Sequence, residues 1–182
     1  LLSDDDKLIL LTAERKDITV DGNGQIRVAQ FEDVDVTVSG TLNAGTTSGS
    51  ALLGSESDLT VGRVSAADEV RIKTGASLLG VAGQTHVVAD SAVLEAGAGQ
   101  IGSAVTPFTV DLGATGTLTA RAGTDLFVHE VNGDMVVDTV FARGNATLQA
   151  QGSIVESVED KLLDVRGTSV TLVAGDSIGK PG

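Results

Sequence analysis

Cysteine, tryptophan and tyrosine are absent from this 182-residue chain, proline occurs only 2 times, and aromatic residues make up 2 %. Without cysteine there are no disulfides, no thiolate nucleophile and no zinc–thiolate site. A compact globule fills its centre with some large aromatic side chains, so their scarcity argues against one. No apolar run approaches the ~20 residues of a membrane span. Lys and Arg number 12 against 25 Asp and Glu, a formal net charge of −13, and the isoelectric point is near 4.3. That balance argues against nucleic acid and anionic membrane surfaces as partners, both of which need clustered basic residues. It favours solubility and leaves room for divalent cations. The opening run Leu1–Ala13 has no basic leader region and no initiating Met, so it does not read as a signal peptide. The chain reads as an excerpt of a longer array.

What is present is repetition. Asp58–Gly80 (DLTVGRVSAADEVRIKTGASLLG) lies without a gap, 76 positions on, over Asp134–Glu156 (DMVVDTVFARGNATLQAQGSIVE). Asp58, Val61, Val64, Ala66 and Ser77 recur as Asp134, Val137, Val140, Ala142 and Ser153, and apolar positions recur where identities fail. Gly24-Gln25-Ile26 matches Gly99-Gln100-Ile101, each opening a copy, and Leu1, Leu2, Ile9, Leu11 and Ala13 fall on Leu162, Leu163, Val170, Leu172 and Ala174. The organisation that follows is one continuous array: residues 1–24 end a preceding repeat, 25–100 and 101–176 are full units, and 177–182 begin the next.

The 23 glycines and an apolar fraction of 41 %, carried almost wholly by Val, Leu, Ile and Ala, suit a narrow interior in which each layer resembles the next. Period-two alternation in VDVTVSG, TLTARAG, DLFVHEV and EVRIKTG puts one side chain in and the next out. Asp21-Gly22, Asn23-Gly24 and Asn132-Gly133 fit corners that need φ > 0. Ser65–Arg71 could wind one helical turn, but its counterpart Phe141–Thr147 reads as strand. The expected fold is all-β: a single-stranded parallel β-helix without tight hairpins. Its coils of roughly 24–30 residues are spaced by the anchors Leu94, Leu118, Leu148 and Leu172, with about three coils to a unit. The rival is a run of antiparallel β-sandwich repeats, which leaves the regular spacing of the anchors unexplained.

The segments LTARAGTDL, LQAQGSIVE and LVAGDSIGKPG, with the junction IGSAVTPFTVDL (Ile101–Leu112), resemble the repeats of large repetitive exoproteins of Gram-negative bacteria, the filamentous-haemagglutinin-like and leukotoxin-like adhesins. The resemblance covers about Val34 to Gly179. It implies a right-handed β-helical stalk, export to the cell surface or beyond, and a role in adhesion or filament formation. It transfers no catalytic or binding residue.

The residues themselves offer few alternatives. His86 and His129 are the only histidines, and His129 shares a strand face with Phe127 and Val131; both read as structural or solvent-facing. Acidic groups at Asp4–Asp6, at Glu32, Asp33 and Asp35, and at Glu156, Glu159 and Asp160 could serve polysaccharide cleavage, but the aromatic platforms that usually accompany it are lacking. Weak calcium binding at Asp4–Asp6 or Glu32–Asp35 stays open, although neither a calcium β-roll nonapeptide nor an EF-hand loop is present. The recurring pairs Asp58/Asp134 and Asp35/Asp111 fit side chains that cap turns. Asn145-Ala146-Thr147 is a sequon by spelling only. The sequence therefore assigns no catalytic, cofactor or metal residue and points to a non-enzymatic stalk or filament segment, with a self-assembling fibre subunit and a polysaccharide-active β-helix as alternatives. The expected partners are further repeats end to end, other copies in a fibre, and a receptor on a host or neighbouring cell.

Overall fold

The computed structural model describes residues 33–158 and 163–179, and before them the backbone of two strands, 16–20 and 26–30. These two, β1 (Lys16–Val20) and β2 (Ile26–Gln30), pair antiparallel, Lys16 opposite Gln30 and Val20 opposite Ile26. This departs from the expectation of parallel coils throughout. The reason is length: five residues join the strands, enough for a hairpin and too few for a parallel crossover. Residues 1–34 form one compact unit and 35–182 a second.

The second unit is a β-solenoid. Its strands are β3 (Val34–Asp35), β4 (Thr41–Gly45), β5 (Ala51–Ser55), β6 (Leu59–Ser65), β7 (Glu69–Thr74), β8 (Leu78–Gly80), β9 (Val87–Ala89) and β10 (Ser91–Ala96). They continue as β11 (Phe108–Leu112), β12 (Thr117–Ala122), β13 (Leu126–Glu130), β14 (Met135–Ala142), β15 (Ala146–Ala150), β16 (Ile154–Glu156), β17 (Val165–Arg166) and β18 (Val170–Ala174). Sheet I stacks β3-β5-β7-β10-β12-β14-β16, with β17 also on β14; sheet II stacks β4-β6-β9-β11-β13-β15-β18, with β8 also on β6. The strands of these sheets pair in parallel, as in Ala92 beside Leu118 and Leu126 beside Ala146. The chain thus alternates between two faces and climbs one rung, ~4.8 Å, per coil. No helix occurs among the described residues.

Columns of like residues make the core. Leu53, Ile72, Leu94, Ala120 and Val140 stack in sheet I. Leu59, Leu78, Ile101, Leu126 and Ala146 stack in sheet II. All ten are buried, and each fully buried Leu or Ile contributes about 1.5–3 kcal/mol by removal from water. The small interior admits few rings, and Phe108 is the only Phe among the fully buried side chains of the described residues.

Coils run from 19 residues (Thr41 to Thr60, Ala51 to Val70) to 26 (Ala92 to Leu118). Most are shorter than the anchors suggested, because those anchors do not form one column. Leu118 stacks on Ala92 rather than on Leu94, and Leu148 lies on the other sheet, where it does stack on Leu172. The extra residues of long coils leave the stack as segments 81–86, between β8 and β9, and 102–107, between Ile101 and β11.

The internal repeat acquires a geometry that sequence alone did not suggest. From β4 to its counterpart β12 the chain makes seven half-coils, so one unit of 76 residues spans three and a half coils rather than three. Each strand's copy therefore lies on the opposite sheet: β4 and β6 are in sheet II, β12 and β14 in sheet I, while β7 is in sheet I and β15 in sheet II. Fine detail survives the change of face. The ladder shifts by one residue at Leu42/Asn43 and again at Leu118/Thr119, leaving Gly62 and Asp138 as the extra residues. Those two are 76 positions apart.

Candidate functional site

The corners carry most of the recurring polar residues, and their side chains serve the backbone. Asp58 Oδ1 accepts the Ser77 N–H at 2.8 Å, and its copy Asp134 Oδ1 accepts the Ser153 N–H at 2.6 Å. Each bond ties a corner to the same corner one coil on, the capping role expected of this pair. Asp125 Oδ1 does the same for the Asn145 N–H at 2.7 Å. Gly152, just ahead of Ser153, has no Cβ, and one there would lie 2.3 Å from the Asp134 carboxylate. The Asn132-Gly133 corner behaves as expected, Gly133 having φ 108°.

Among the described residues, the buried titratable groups gather on three rungs of sheet II, formed by β9, β11 and β13. His86 is 1 % exposed and Glu130 0 %. Segment 81–86 folds over the sheet and turns the His86 ring back against Gly80 and Phe108, whose ring centroid is 4.9 Å away. Its Nδ1 accepts the Thr109 N–H at 2.8 Å, so the proton sits on Nε2, which donates to Val81 O at 2.8 Å. The Thr109 hydroxyl donates to Gln84 O at 2.6 Å. Burial holds the His86 pKa below its ordinary 6.5. Both ring nitrogens are engaged with backbone or Thr109, which leaves no lone pair for base catalysis. This is a structural histidine.

Glu130 occupies an inward column in which its neighbours are Val110 and Ala150. β13 ends at Glu130 while β11 runs on to Leu112, so the ladder lacks an acceptor for the Leu112 N–H. The carboxylate supplies it: Oε2 accepts from Leu112 N and Oε1 from Asn132 N, each at 3.0 Å. Burial, with Asp111 nearby, pushes the Glu130 pKa up to about 7, against the lowering effect of its backbone donors. Through these side-chain bonds to backbone groups the cluster holds three rungs together. It presents neither a nucleophile nor a free base to the open groove of about 310 Å³ between segments 81–86 and 102–107.

The signal for Glu130 was in the sequence. The alternation in DLFVHEV that puts His129 outward with Phe127 also puts Glu130 on the core face with Leu126 and Val128. His129 is indeed half-buried in the outward column beside Thr109 and Gln149, and burial lowers its pKa.

Another outward column, on sheet I, runs Lys73, Glu95, Arg121, Phe141, Arg166. The Phe141 ring lies between two guanidinium groups, Arg121 at 5.8 Å and Arg166 at 5.6 Å. Residues from three coils, 20 and 25 positions apart, meet here, a juxtaposition that only the register defines.

Of the acidic groups considered from sequence, Asp4–Asp6, Glu32, Glu159 and Asp160 lie outside the described residues, as do corners Asp21-Gly22 and Asn23-Gly24. Glu156 pairs with Val137 at the end of β16, and Asp111 lies outward in β11 beside Val88. Among the described residues no three His, Asp or Glu side chains are grouped to hold a metal ion, and no helix is long and apolar enough to cross a membrane. Asn145 is exposed at a corner, while Ala146 of the same sequon is buried. Comparison with protein-family models, curated proteins and solved structures finds no match.

Proposed function

We propose that this chain is a structural segment, part of the stalk or filament of a large exported bacterial surface protein of the filamentous-haemagglutinin-like kind, serving adhesion or fibre formation. One observation carries the reading: what the repeat keeps and what it discards. Val61/Val137, Val64/Val140 and the caps Asp58/Asp134 persist although the copies lie on opposite sheets. The outward positions Arg63/Thr139, Arg71/Thr147 and Lys73/Gln149 change freely. A binding or catalytic surface repeated for its chemistry would constrain the outward set. A repeat constrained only inside and at its corners is selected for stacking. The buried polar side chains fit the same purpose, because Glu130 and His86 direct their hydrogen bonds to strands and turns of the scaffold.

The mechanism is mechanical. Seven coils at ~4.8 Å each form a solenoid about 34 Å long, and each added unit extends the core without changing its cross-section. Removing an in-phase block of seven coils from the parent protein on the cell should shorten the reach of whatever the stalk carries and weaken adhesion to a receptor-bearing surface. The purified segment should neither block that adhesion nor degrade glycans. Direct competition by the segment, or turnover of a polysaccharide, would contradict the proposal.

A further inference from the structure

The corner that turns β13 into β14 is anchored on every side of one free backbone amide. The Asn132 N–H donates to Glu130 Oε1 at 3.0 Å, Gly133 O accepts the Gly152 N–H at 2.6 Å, and Asp134 Oδ1 accepts the Ser153 N–H at 2.6 Å. Between these bonds the Gly133 N–H donates to no acceptor among the described residues. Asn132, Gly133 and Asp134 are all exposed. Gly133 sits at φ 108° in open space, where a Cβ would meet nothing within 4 Å.

Asparagine is thermolabile because its side-chain amide is an electrophile within reach of the next backbone nitrogen. Attack by Gly133 N on Asn132 Cγ closes a five-membered ring, breaks the Cγ–Nδ2 bond and releases ammonia. The proton lost from Gly133 N is regained by the departing nitrogen through water. Water then opens the succinimide at either carbonyl, giving aspartate or isoaspartate. The step needs an attacking amide free of hydrogen bonds, no side chain on the attacking residue, and access for water. All three conditions hold at Asn132-Gly133. They fail at the other described asparagines. Asn145 precedes the buried Ala146, whose N–H donates to Ser169 O at 2.8 Å. Asn43 precedes Ala44 within β4, and its Oδ1 is held by the Arg63 N–H at 3.0 Å.

We propose that Asn132-Gly133 is a site of spontaneous deamidation, and that its isoaspartyl product loosens the turn from β13 into β14. Isoaspartate carries the chain through its side-chain carbon, which adds one methylene to the backbone between the bonds made by Asn132 N–H and Gly133 O. The corner then holds more chain than the stacking of Asn132 and Gly133 on their partners requires. Either product also places a new carboxylate between Glu130 and Asp134, on a chain whose formal net charge is already −13. This inference is independent of the stalk reading, which survives its failure.

An Asn23→Gln background removes the other Asn-Gly pair of the sequence and gives a clean test. The folded chain is held in mildly alkaline buffer, digested, and its peptides are weighed over time. The Asn132 peptide should gain the mass of an NH2-to-OH exchange and separate into aspartyl and isoaspartyl forms. Its rate should rise with pH, because the attacking amide must lose its proton. The Asn43 and Asn145 peptides should stay unchanged over the same interval. Two results would overturn the site: Asn132 intact in the folded chain while the same peptide converts in urea, or equal conversion at Asn43 and Asn145. The loosening is tested separately. The isoaspartyl protein, isolated by ion exchange, should unfold at a lower urea midpoint than Asn132→Asp, which carries the same charge on an unaltered backbone. Equal midpoints would refute the loosening.

Discussion

Burial shifts the Glu130 pKa up and the His86 pKa down, so at the residue scale the two groups give opposed pH dependences. Glu130 has a raised pKa, about 7 against 4.5, so its contribution is complete below pH 4.5 and lost as pH rises through about 7. Over that window the loss is on the order of 3 kcal/mol. His86 has a lowered pKa, so its contribution is complete above 6.5 and lost as pH falls below that value. The two slopes oppose one another just below pH 6.5. Urea midpoints measured across this range should show each single variant unmasking the other group. Relative to wild type, His86→Gln should lose stability more steeply as pH rises, and Glu130→Gln more steeply as it falls. Glu130→Gln should also be destabilised by about 1–3 kcal/mol near pH 5, because an amide offers one acceptor for the two donors Leu112 N–H and Asn132 N–H. The corner caps give a second expectation. Asp134→Ala should lower stability by roughly 1–3 kcal/mol, and Asp58→Ala by less, since the Ser77 bond is exposed and the Ser153 bond partly buried.

At the scale of elements, alternation and turn chemistry were legible because they act within a few residues. DLFVHEV and EVRIKTG became β13 and β7 with the inward sets expected, and Asn132-Gly133 became a corner. The recurring Asp58 and Asp134 could be read as caps, although not which coil they would cap. What escaped depends on register between distant residues. The coil length of 24–30 came from anchors that share a motif but not a column, and the half-coil that moves each copy to the other sheet leaves no mark on a linear repeat. The Arg121–Phe141–Arg166 stack is likewise visible only once three coils are in place. Its energetic weight is modest: Phe141→Leu should cost about 1–2 kcal/mol, as two exposed cation–π contacts predict, whereas Ile72→Ala in the core column should cost about 2–5 kcal/mol. A denaturation series in which Phe141→Leu proved the more damaging would reverse the ranking of surface and core. At the Ile101-Gly102 corner, Gly102 has φ 61°, and a Cβ there would lie 2.5 Å from Phe127 O. Gly102→Ala should therefore lower stability by more than about 1 kcal/mol, read as the shift in urea midpoint.

At the scale of the whole solenoid, the equivalent strands of the two copies lie half a coil out of phase. From this phase follow the alternation of faces and the in-phase block of seven coils. Spin labels at Lys73→Cys and Gln149→Cys, equivalent positions 76 residues apart, test it directly by electron–electron dipolar distance. Both sites are exposed, one in β7 of sheet I and the other in β15 of sheet II. Three and a half rungs separate them by ~17 Å along the axis, and packed sheets add ~10 Å across it, so the labels should point apart. The measured distance should exceed the axial rise by the thickness of the two sheets and both label arms. A distance close to the axial rise alone, with the labels side by side on one face, would contradict the half-coil phase and the account built on it.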